Sequence, residues 1–136
     1  MTINNHADIG VGYFYENNYP DTSSVTFTNP DKKDINASFV IEENDNVDVS
    51  GADIRSQGEV QALVIKKDYE MTGGTVSGAV SIMGDATFTM QDGTVNGTIE
   101  GSGDATFIMN DGTLNRAIHI VPNVEIHGGT INSESS

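Results

Sequence analysis

The chain has no cysteine and no tryptophan, and it has only three prolines among its 136 residues. Without cysteine it has no disulfide, no thiolate metal ligand and no thiol nucleophile. Long apolar runs are also absent, so the sequence encodes no membrane-spanning helix. The first ten residues, MTINNHADIG, contain neither the basic start nor the apolar core of a secretory signal. We therefore expect a cytoplasmic protein without a membrane partner.

Positive charge is scarce as well. Six Lys and Arg residues stand against 20 Asp and Glu residues, which gives a formal net charge of −14. Such a chain repels nucleic acid and anionic membranes and is attracted to basic surfaces. High acidity also has a simpler interpretation, because it keeps a protein soluble. The length suits one domain with a modest core.

What the sequence does contain is an internal repeat, which is clearest at the threonine of a recurring Gly-Thr step. The four copies are TGGTVS, QDGTVN, NDGTLN and HGGTIN. Their threonines are Thr75, Thr94, Thr113 and Thr130, so the successive spacings are 19, 19 and 17. A period near twenty is typical of a solenoid, in which each repeat buries its apolar face on its neighbours.

Apolar residues recur six and four positions before this threonine and one position after it. They alternate with polar residues, which is the pattern of strands that are buried on one face. Glycine and β-branched residues are frequent here and disfavour a helix. We predict that these residues are buried in stacked layers: Tyr69, Met71, Val76, Phe88, Met90, Val95, Phe107, Met109, Leu114, Val124, Ile126 and Ile131.

Glycine and asparagine flank the threonine. The preceding glycines indicate a bend that accepts no side chain or requires a positive φ: Gly74, Gly93, Gly112 and Gly129. Two residues after the threonine lie Ser77, Asn96, Asn115 and Asn132. Stacked asparagines at a turn can bond their side-chain amides to backbone from one turn to the next.

The units MNDGTLN and MTGGTVSG resemble rungs of right-handed parallel β-helices of the pectin-lyase-like and autotransporter-adhesin kind. The resemblance covers roughly residues 47–132. It implies a fold, and it transfers no catalytic residue because no lyase motif matches.

Upstream the period is looser. VDVSGADI (47–54) aligns with YEMTGGTV (69–76) at an offset of 22, VQALVIKK (60–67) completes that turn, and SFVIEE (38–43) suits a further strand. We predict an all-β protein, a parallel β-helix of about four to five turns over residues 38–136. Residues 1–37 are predicted to form a non-repetitive N-terminal cap within the same domain.

The C-terminal turn has no comparable cap. After Thr130 the chain offers only INSESS, which has little apolar content. An uncovered turn presents open strand edges that can pair with another chain. This favours a homodimer through the C-terminal turn, or a partner bound there.

Aspartate recurs at two positions of the repeat. Asp85 and Asp104 are 19 residues apart, and so are Asp92 and Asp111, so each pair should form a column across the stacked turns. Asn123 is expected to extend the column of Asp85 and Asp104. At a stacking distance of about 4.8 Å, each like-charged pair repels by about 1 kcal/mol in water. Further acidic candidates for the same binding surface are Glu42, Glu43, Asp45, Asp48 and Glu100.

Three interpretations of the aspartate columns stay open. Asp-Gly and Gly-Asp are favoured turn steps, and solvated carboxylates tolerate neighbours. Calcium binds carboxylate and carbonyl oxygens, although the nonapeptide period of secreted calcium-binding β-rolls is absent. The third interpretation is a charge array that imitates the evenly spaced phosphates of nucleic acid.

Catalysis has weaker support. Asp92 with Asp111 is the carboxylate pair that would do acid–base work, which requires environments that separate the two pKa values. The chain has only two arginines, and His119 and His127 fall on predicted outward positions. We predict no catalytic residue, no metal ligand and no cofactor, and hence a protein that is not an enzyme.

Two function classes remain. One is an acidic inhibitor from a phage or mobile element, of the anti-CRISPR or anti-restriction type, which blocks a basic groove on a nucleic-acid-binding complex of the host. This class binds no nucleic acid itself. The alternative is a structural or adhesive β-helix from a phage tail protein or bacterial adhesin, which binds glycan or a receptor.

Overall fold

The computed structural model describes residues 2–8, 26–35, 39–41, 46–47, 53–55 and 62–132. All the regular elements within these ranges are β-strands. In chain order they are β1 (Thr2–Asn4), β2 (Thr26–Thr28), β3 (Phe39–Ile41), β4 (Asn46–Val47), β5 (Asp53–Arg55), β6 (Leu63–Ile65), β7 (Tyr69–Met71), β8 (Thr75–Ser77), β9 (Val80–Ile82), β10 (Thr87–Met90), β11 (Thr94–Val95), β12 (Ile99–Gly101), β13 (Thr106–Met109), β14 (Thr113–Leu114), β15 (Ile118–His119), β16 (Asn123–Ile126) and β17 (Thr130–Ile131).

The strands form parallel sheets that stack along one axis. Sheet A has the order β16-β13-β10-β7, sheet B has the order β17-β14-β11-β8-β5, and sheet C has the order β15-β12-β9-β6-β3. From β7 onward the chain visits A, B and C in turn, so the turns β7–β9, β10–β12 and β13–β15 each contribute one strand to each sheet. The predicted all-β parallel solenoid is confirmed, with about four turns.

The register follows the repeat in the sequence. Thr94 pairs with Thr75 on one side and with Thr113 on the other, as the spacing of the threonines predicted. The backbone of each turn is hydrogen-bonded to the previous one: the Thr113 N–H donates to the Gly93 carbonyl at 2.8 Å. Upstream, Ile54 pairs with Val76, so the longer offset predicted for that turn is also confirmed.

The core consists of apolar columns that run the length of the stack. The rings of Phe88 and Phe107 stack with centroids 5.8 Å apart, and Tyr69 lies 6.4 Å from Phe88 on the other side. Eight of the predicted core residues are buried: Met71, Val76, Phe88, Met90, Val95, Phe107, Met109 and Leu114. Inward side chains at the same position of successive turns therefore stack on one another and fill the interior, as the alternation of apolar and polar residues predicted.

The prediction of burial was wrong for four residues. Tyr69 is only partly buried, at the first turn of sheet A. Val124, Ile126 and Ile131 belong to the correct columns, yet 41%, 46% and 39% of their surfaces are exposed. These three side chains lie on the last described turn, so no further turn covers their outer side.

The last corner is two residues shorter than the corners before it. Thr106 pairs with Asn123 at an offset of 17, whereas Ile99 and Ile118 still pair at an offset of 19. Asn123 therefore lies beside Thr106, and the prediction that it extends the column of Asp85 and Asp104 was wrong. The corner turns through Ile120, which has φ of 58° and is 74% exposed.

Ile120 occupies a backbone conformation that β-branched residues rarely adopt. In the two preceding turns, Gly84 and Gly103 take the left-handed conformation at this corner, with φ of 69° and 61°. The strain at Ile120 costs about 1–2 kcal/mol relative to a residue in its preferred conformation. The shortened corner thus accounts for an exposed apolar residue beside the open end.

The glycines before the repeated threonines act as predicted. Gly112 has φ of 97°, and a Cβ built on it would lie 2.6 Å from the Gly93 carbonyl oxygen. Both the left-handed backbone and the close approach of the previous turn therefore require glycine.

The asparagine stack differs from the prediction in one respect. The amide of Asn115 donates to the side-chain oxygen of Asn96 at 2.8 Å, and Asn132 donates to Asn115 at 3.1 Å. The partners are neighbouring side chains rather than backbone. Each amide thus holds the next one in a fixed orientation.

The N-terminal part contributes strands to the same parallel arrangement. β1 pairs with β2, β2 pairs with β4, and Ile35 forms a bridge with Ile54. Phe27 and Ile35 are fully buried in the common core. Residues 9–25 lie outside the described residues, so the cap over residues 1–37 stays a prediction.

Candidate acidic binding surface

The first aspartate column lies at the corner that leads into sheet A. Asp85 and Asp104 follow left-handed glycines, and the Asp104 N–H donates to the Gly84 carbonyl at 2.8 Å. Both side chains are exposed. Within the part of the chain that the structure describes, neither carboxylate accepts a hydrogen bond from the protein. Both carboxylates are therefore available to a partner.

The second aspartate column lies at the opposite corner, where sheet A leads into sheet B. Oδ1 of Asp92 accepts the Gly93 N–H at 2.8 Å, and Oδ1 of Asp111 accepts the Gly112 N–H at the same distance. These side chains are exposed but have a structural role in orienting the Asp-Gly turn. The carboxylates of the second column thus take part in their turns. In the first column Gly84-Asp85 and Gly103-Asp104 also form the centres of tight turns, closed by the Ala86 and Ala105 N–H groups, but their carboxylates make no hydrogen bond among the described residues.

Both columns border the outer side of sheet A. Asp85 precedes β10 and Asp92 follows it, so the two columns are separated by roughly 20 Å along an extended strand. Glu70 and Glu125 lie between them on outward positions, in register with Thr89 and Ile108. The four predicted aspartates therefore frame one face of the solenoid.

Asp68 also belongs to this face, and sequence reasoning missed it. Its Oδ1 accepts the Thr87 N–H from the next turn at 3.0 Å. The register that places Phe88 beside Tyr69 puts Thr87 at the position of Asp68, so Asp68 has no aspartate counterpart one repeat later. A search for repeated aspartates could not detect it.

The other predicted site residues lie elsewhere. Glu100 pairs in register with Ser81 and His119 on sheet C, where it is partly exposed. It does not share the face that the aspartate columns frame. Four further candidates lie outside the described residues: Glu42, Glu43, Asp45 and Asp48.

Negative charge dominates this part of the molecule. Residues 68–132 contain eight acidic residues and a single basic one, Arg116, which is exposed. Two unit charges about 4 Å apart in water repel by about 1 kcal/mol, and salt reduces this further. The solenoid backbone therefore holds the Asp85–Asp104 pair together against a modest but persistent repulsion.

Neither a metal centre nor an acid–base pair is apparent in the described geometry. Among the described residues, no three His, Asp or Glu side chains are grouped to hold a metal ion. Asp92 and Asp111 are both exposed and each accepts the N–H of the following glycine, whereas an acid–base pair needs unlike environments. His119 and His127 are exposed, as predicted. His127 contacts Glu125 at 3.3 Å.

Among the residues that the structure describes, no helix has the length and apolar character that crossing a membrane requires. Comparison of the chain with protein-family models, with curated proteins and with solved structures finds no match.

Proposed function

We propose that this chain is an acidic, non-enzymatic binding protein that imitates nucleic acid. Its partner would be a basic groove on a nucleic-acid-processing or defence complex in the host cytoplasm, and the chain would act as an inhibitor of the anti-CRISPR or anti-restriction type. The observation that carries the proposal is the exposed Asp85–Asp104 column, whose carboxylates have no structural partner among the described residues.

Spacing supports this proposal. Carboxylates on successive turns lie about 4.8 Å apart, and one strand of B-DNA places a phosphate about every 3.4 Å along its axis. A β-solenoid is rigid, so the array loses little conformational entropy on binding. Lys and Arg residues that face phosphates would face these carboxylates in the same way.

Charge supports it as well. Eight acidic residues against one basic residue in 68–132 give a field that attracts cationic surfaces and speeds association. Asp92 and Asp111 each retain one carboxylate oxygen that does not bond the turn glycine, so the second column contributes charge in addition to its structural role. The two columns together would contact opposite walls of a groove.

A variant with Asn at positions 85, 92, 104 and 111 tests the proposal. Asn keeps the side-chain oxygen that accepts the Gly93 and Gly112 N–H groups, so the turns are retained. Removing four charges relieves repulsion, and we expect the free energy of unfolding to be unchanged or higher. Affinity for a basic partner captured from nuclease-treated bacterial lysate should fall at least about fivefold. Urea unfolding measures the stability, and isothermal titration calorimetry measures the affinity.

Glu100→Gln is the matched control for this variant, because Glu100 lies on sheet C. Glu100→Gln should reduce affinity much less than the four Asn substitutions together. Duplex DNA or RNA should compete with the parent protein for the partner, and added salt should weaken the complex steeply. If the variant with four Asn substitutions binds the partner as tightly as the parent and with the same dependence on salt, the adhesive function is favoured instead. A loss of stability on adding a chelator to the parent would indicate calcium.

We also propose that two copies pair through the C-terminal turn. Val124, Ile126 and Ile131 expose apolar surface there, and the outer edges of β16 and β17 have no strand partner among the described residues. Residues 112–136 contain only two acidic residues, Glu125 and Glu134, so repulsion between copies is weak at this end. Sedimentation velocity at tens of micromolar should show a dimer that Ile126→Lys dissociates. A parent that sediments as a monomer at every concentration would exclude this pairing.

A further inference from the structure

The outer side of sheet B carries two straight rows of short polar side chains. We define the Thr rank as Thr75, Thr94, Thr113 and Thr130, and the Asn rank as Ser77, Asn96, Asn115 and Asn132. The apolar residue between the two ranks points inward in each turn, and Val76, Val95 and Leu114 are buried. Both ranks therefore point outward. The pairing of β8, β11, β14 and β17 keeps the Thr rank in line, and backbone bonds from the N–H groups of Asn96, Asn115 and Asn132 to the previous turn keep the Asn rank in line.

The ranks are held rigidly. Asn96 donates to Ser77 at 3.5 Å, Asn115 donates to Asn96 at 2.8 Å, and Asn132 donates to Asn115 at 3.1 Å, so one continuous ladder fixes the amides. The backbone N–H of each threonine from Thr94 onward bonds the previous turn at 2.8–2.9 Å. Close glycine contacts set the separation of successive turns at this edge.

The threonine hydroxyls make no hydrogen bond to the part of the protein that the structure describes. Within the described part of the chain, no hydrogen bond is made by the hydroxyl of Thr94, Thr113 or Thr130. Thr94 and Thr113 are partly exposed and Thr130 is exposed. Each residue thus presents one hydroxyl and one methyl group to solvent, at equal intervals.

The chemistry of this surface differs from that of the rest of the molecule. Neither rank contains a charged or aromatic residue, in a chain whose net charge is −14. In the backbone register Thr75 and Ser77 pair with Asp53 and Arg55 of β5, so the two rows of uncharged residues begin at β8. The ranks themselves are uncharged, rigid and periodic, with Asp92 and Asp111 two residues before the Thr rank and Arg116 directly after Asn115. Such rows are suited to a ligand that is itself neutral and periodic.

We propose that the Thr rank and the Asn rank form an ice-binding face. In a tetrahedral water network with O···O distances of about 2.75 Å, second neighbours lie about 4.5 Å apart, and the perpendicular repeat is about 7.3 Å. The ranks repeat at about 4.8 Å along the solenoid axis, and the two ranks lie about 6.7 Å apart along the strands. The hydroxyls and amides replace lattice hydrogen bonds, while the threonine methyls order the water between them.

The mismatch between the solenoid repeat and the ice repeat stays small because the face spans only four turns. A difference of about 0.3 Å per turn accumulates to about 1 Å over three steps, which is well below half a lattice repeat. A crystalline polysaccharide has a comparable axial repeat, but sugar faces are apolar and favour aromatic platforms, which both ranks lack. Ice is therefore the ligand that the surface fits best.

The test uses the full chain and slowly growing polycrystalline ice. The parent should concentrate in the ice at least tenfold over an acidic globular control protein, and it should slow recrystallisation. Thr113→Tyr places a bulky ring in the middle of the Thr rank and should lower ice incorporation at least tenfold. Thr106→Tyr is the matched control, because Thr106 is equally a partly exposed threonine on a strand, but it lies on sheet A.

Thr130→Tyr decides the matter if Thr113→Tyr does not fold, since Thr130 is exposed on the last turn. It should also abolish most of the incorporation into ice, with an unchanged circular dichroism spectrum.

The proposal is overturned if the parent enters ice no better than the control protein, or if the tyrosine substitutions on sheets A and B have equal effects. Retention on crystalline cellulose or chitin without incorporation into ice would assign the face to polysaccharide and overturn it too. The fourfold Asn variant should enter ice as well as the parent, so a failure of the nucleic-acid mimicry leaves this result unaffected.

Discussion

Replacing Gly97 with alanine is expected to lower the free energy of unfolding by about 3 kcal/mol or more. A Cβ on Gly97 would lie 2.0 Å from the Gly78 carbonyl oxygen and 2.6 Å from the Ala79 nitrogen. Both atoms belong to the backbone of the previous turn, and no side-chain rotation can relieve the overlap. Two turns of the solenoid would have to separate, which would break their shared hydrogen bonds. Urea unfolding followed by circular dichroism gives the change.

Gly84 provides the matched control for this effect. Its φ is 69°, but a Cβ there would meet no atom within 4 Å. Gly84→Ala should therefore cost only the left-handed conformation, about 1–2 kcal/mol. If both substitutions destabilise the protein equally, backbone conformation rather than contact between turns limits this fold. If neither does, the turns are more loosely stacked than the structure indicates.

The repeat made the architecture predictable because inward positions have few alternatives. Side chains that stack between turns must match in size and polarity, so Phe88 and Phe107 or Met90 and Met109 recur at the same distance from the threonine. The same constraint revealed the longer upstream offset, through Ile54 and Val76. The repeated threonine and the apolar residues around it were enough to align the turns.

The shortened last corner was not predictable from the same signal. The threonines show that the last repeat is shorter than the others, but their spacing does not locate the missing positions. Only the pairing of Ile99 with Ile118 and of Thr106 with Asn123 places the deletion between them. Corner residues face solvent, and their identity is therefore weakly constrained by packing.

The candidate acidic surface was predictable only in part, for a related reason. Asp85 and Asp104 are visible as a repeat, yet the sequence could not separate them from Asp92 and Asp111, which bond the turn glycines. That distinction depends on where each carboxylate points. Glu100 was grouped with the aspartates by charge alone, and it belongs to another sheet. Outward polar residues are not restricted by stacking, so their grouping requires coordinates.

Phe107→Ala should lower the free energy of unfolding by about 3–5 kcal/mol, which is the range for truncation of a buried aromatic side chain. Phe107 is fully buried, and its ring stacks on Phe88 with centroids 5.8 Å apart. Its removal leaves a cavity between two turns whose backbone separation is fixed by hydrogen bonds, so the surroundings cannot collapse into it. The unfolding midpoint in urea should fall without a change in slope if the native state stays compact.

Val124→Ala is the control, because Val124 pairs with Phe107 in the same column but is 41% exposed. Truncation of a half-exposed valine removes little buried surface, and the loss should stay below about 1 kcal/mol. The smaller loss at Val124 reflects both the smaller group removed and the absence of a covering turn. A loss at Val124 of about 2 kcal/mol or more, as for truncation of a buried aliphatic side chain, would mean that the end of the solenoid is covered in solution. In that case the loss should grow smaller on dilution, since the covering second copy dissociates.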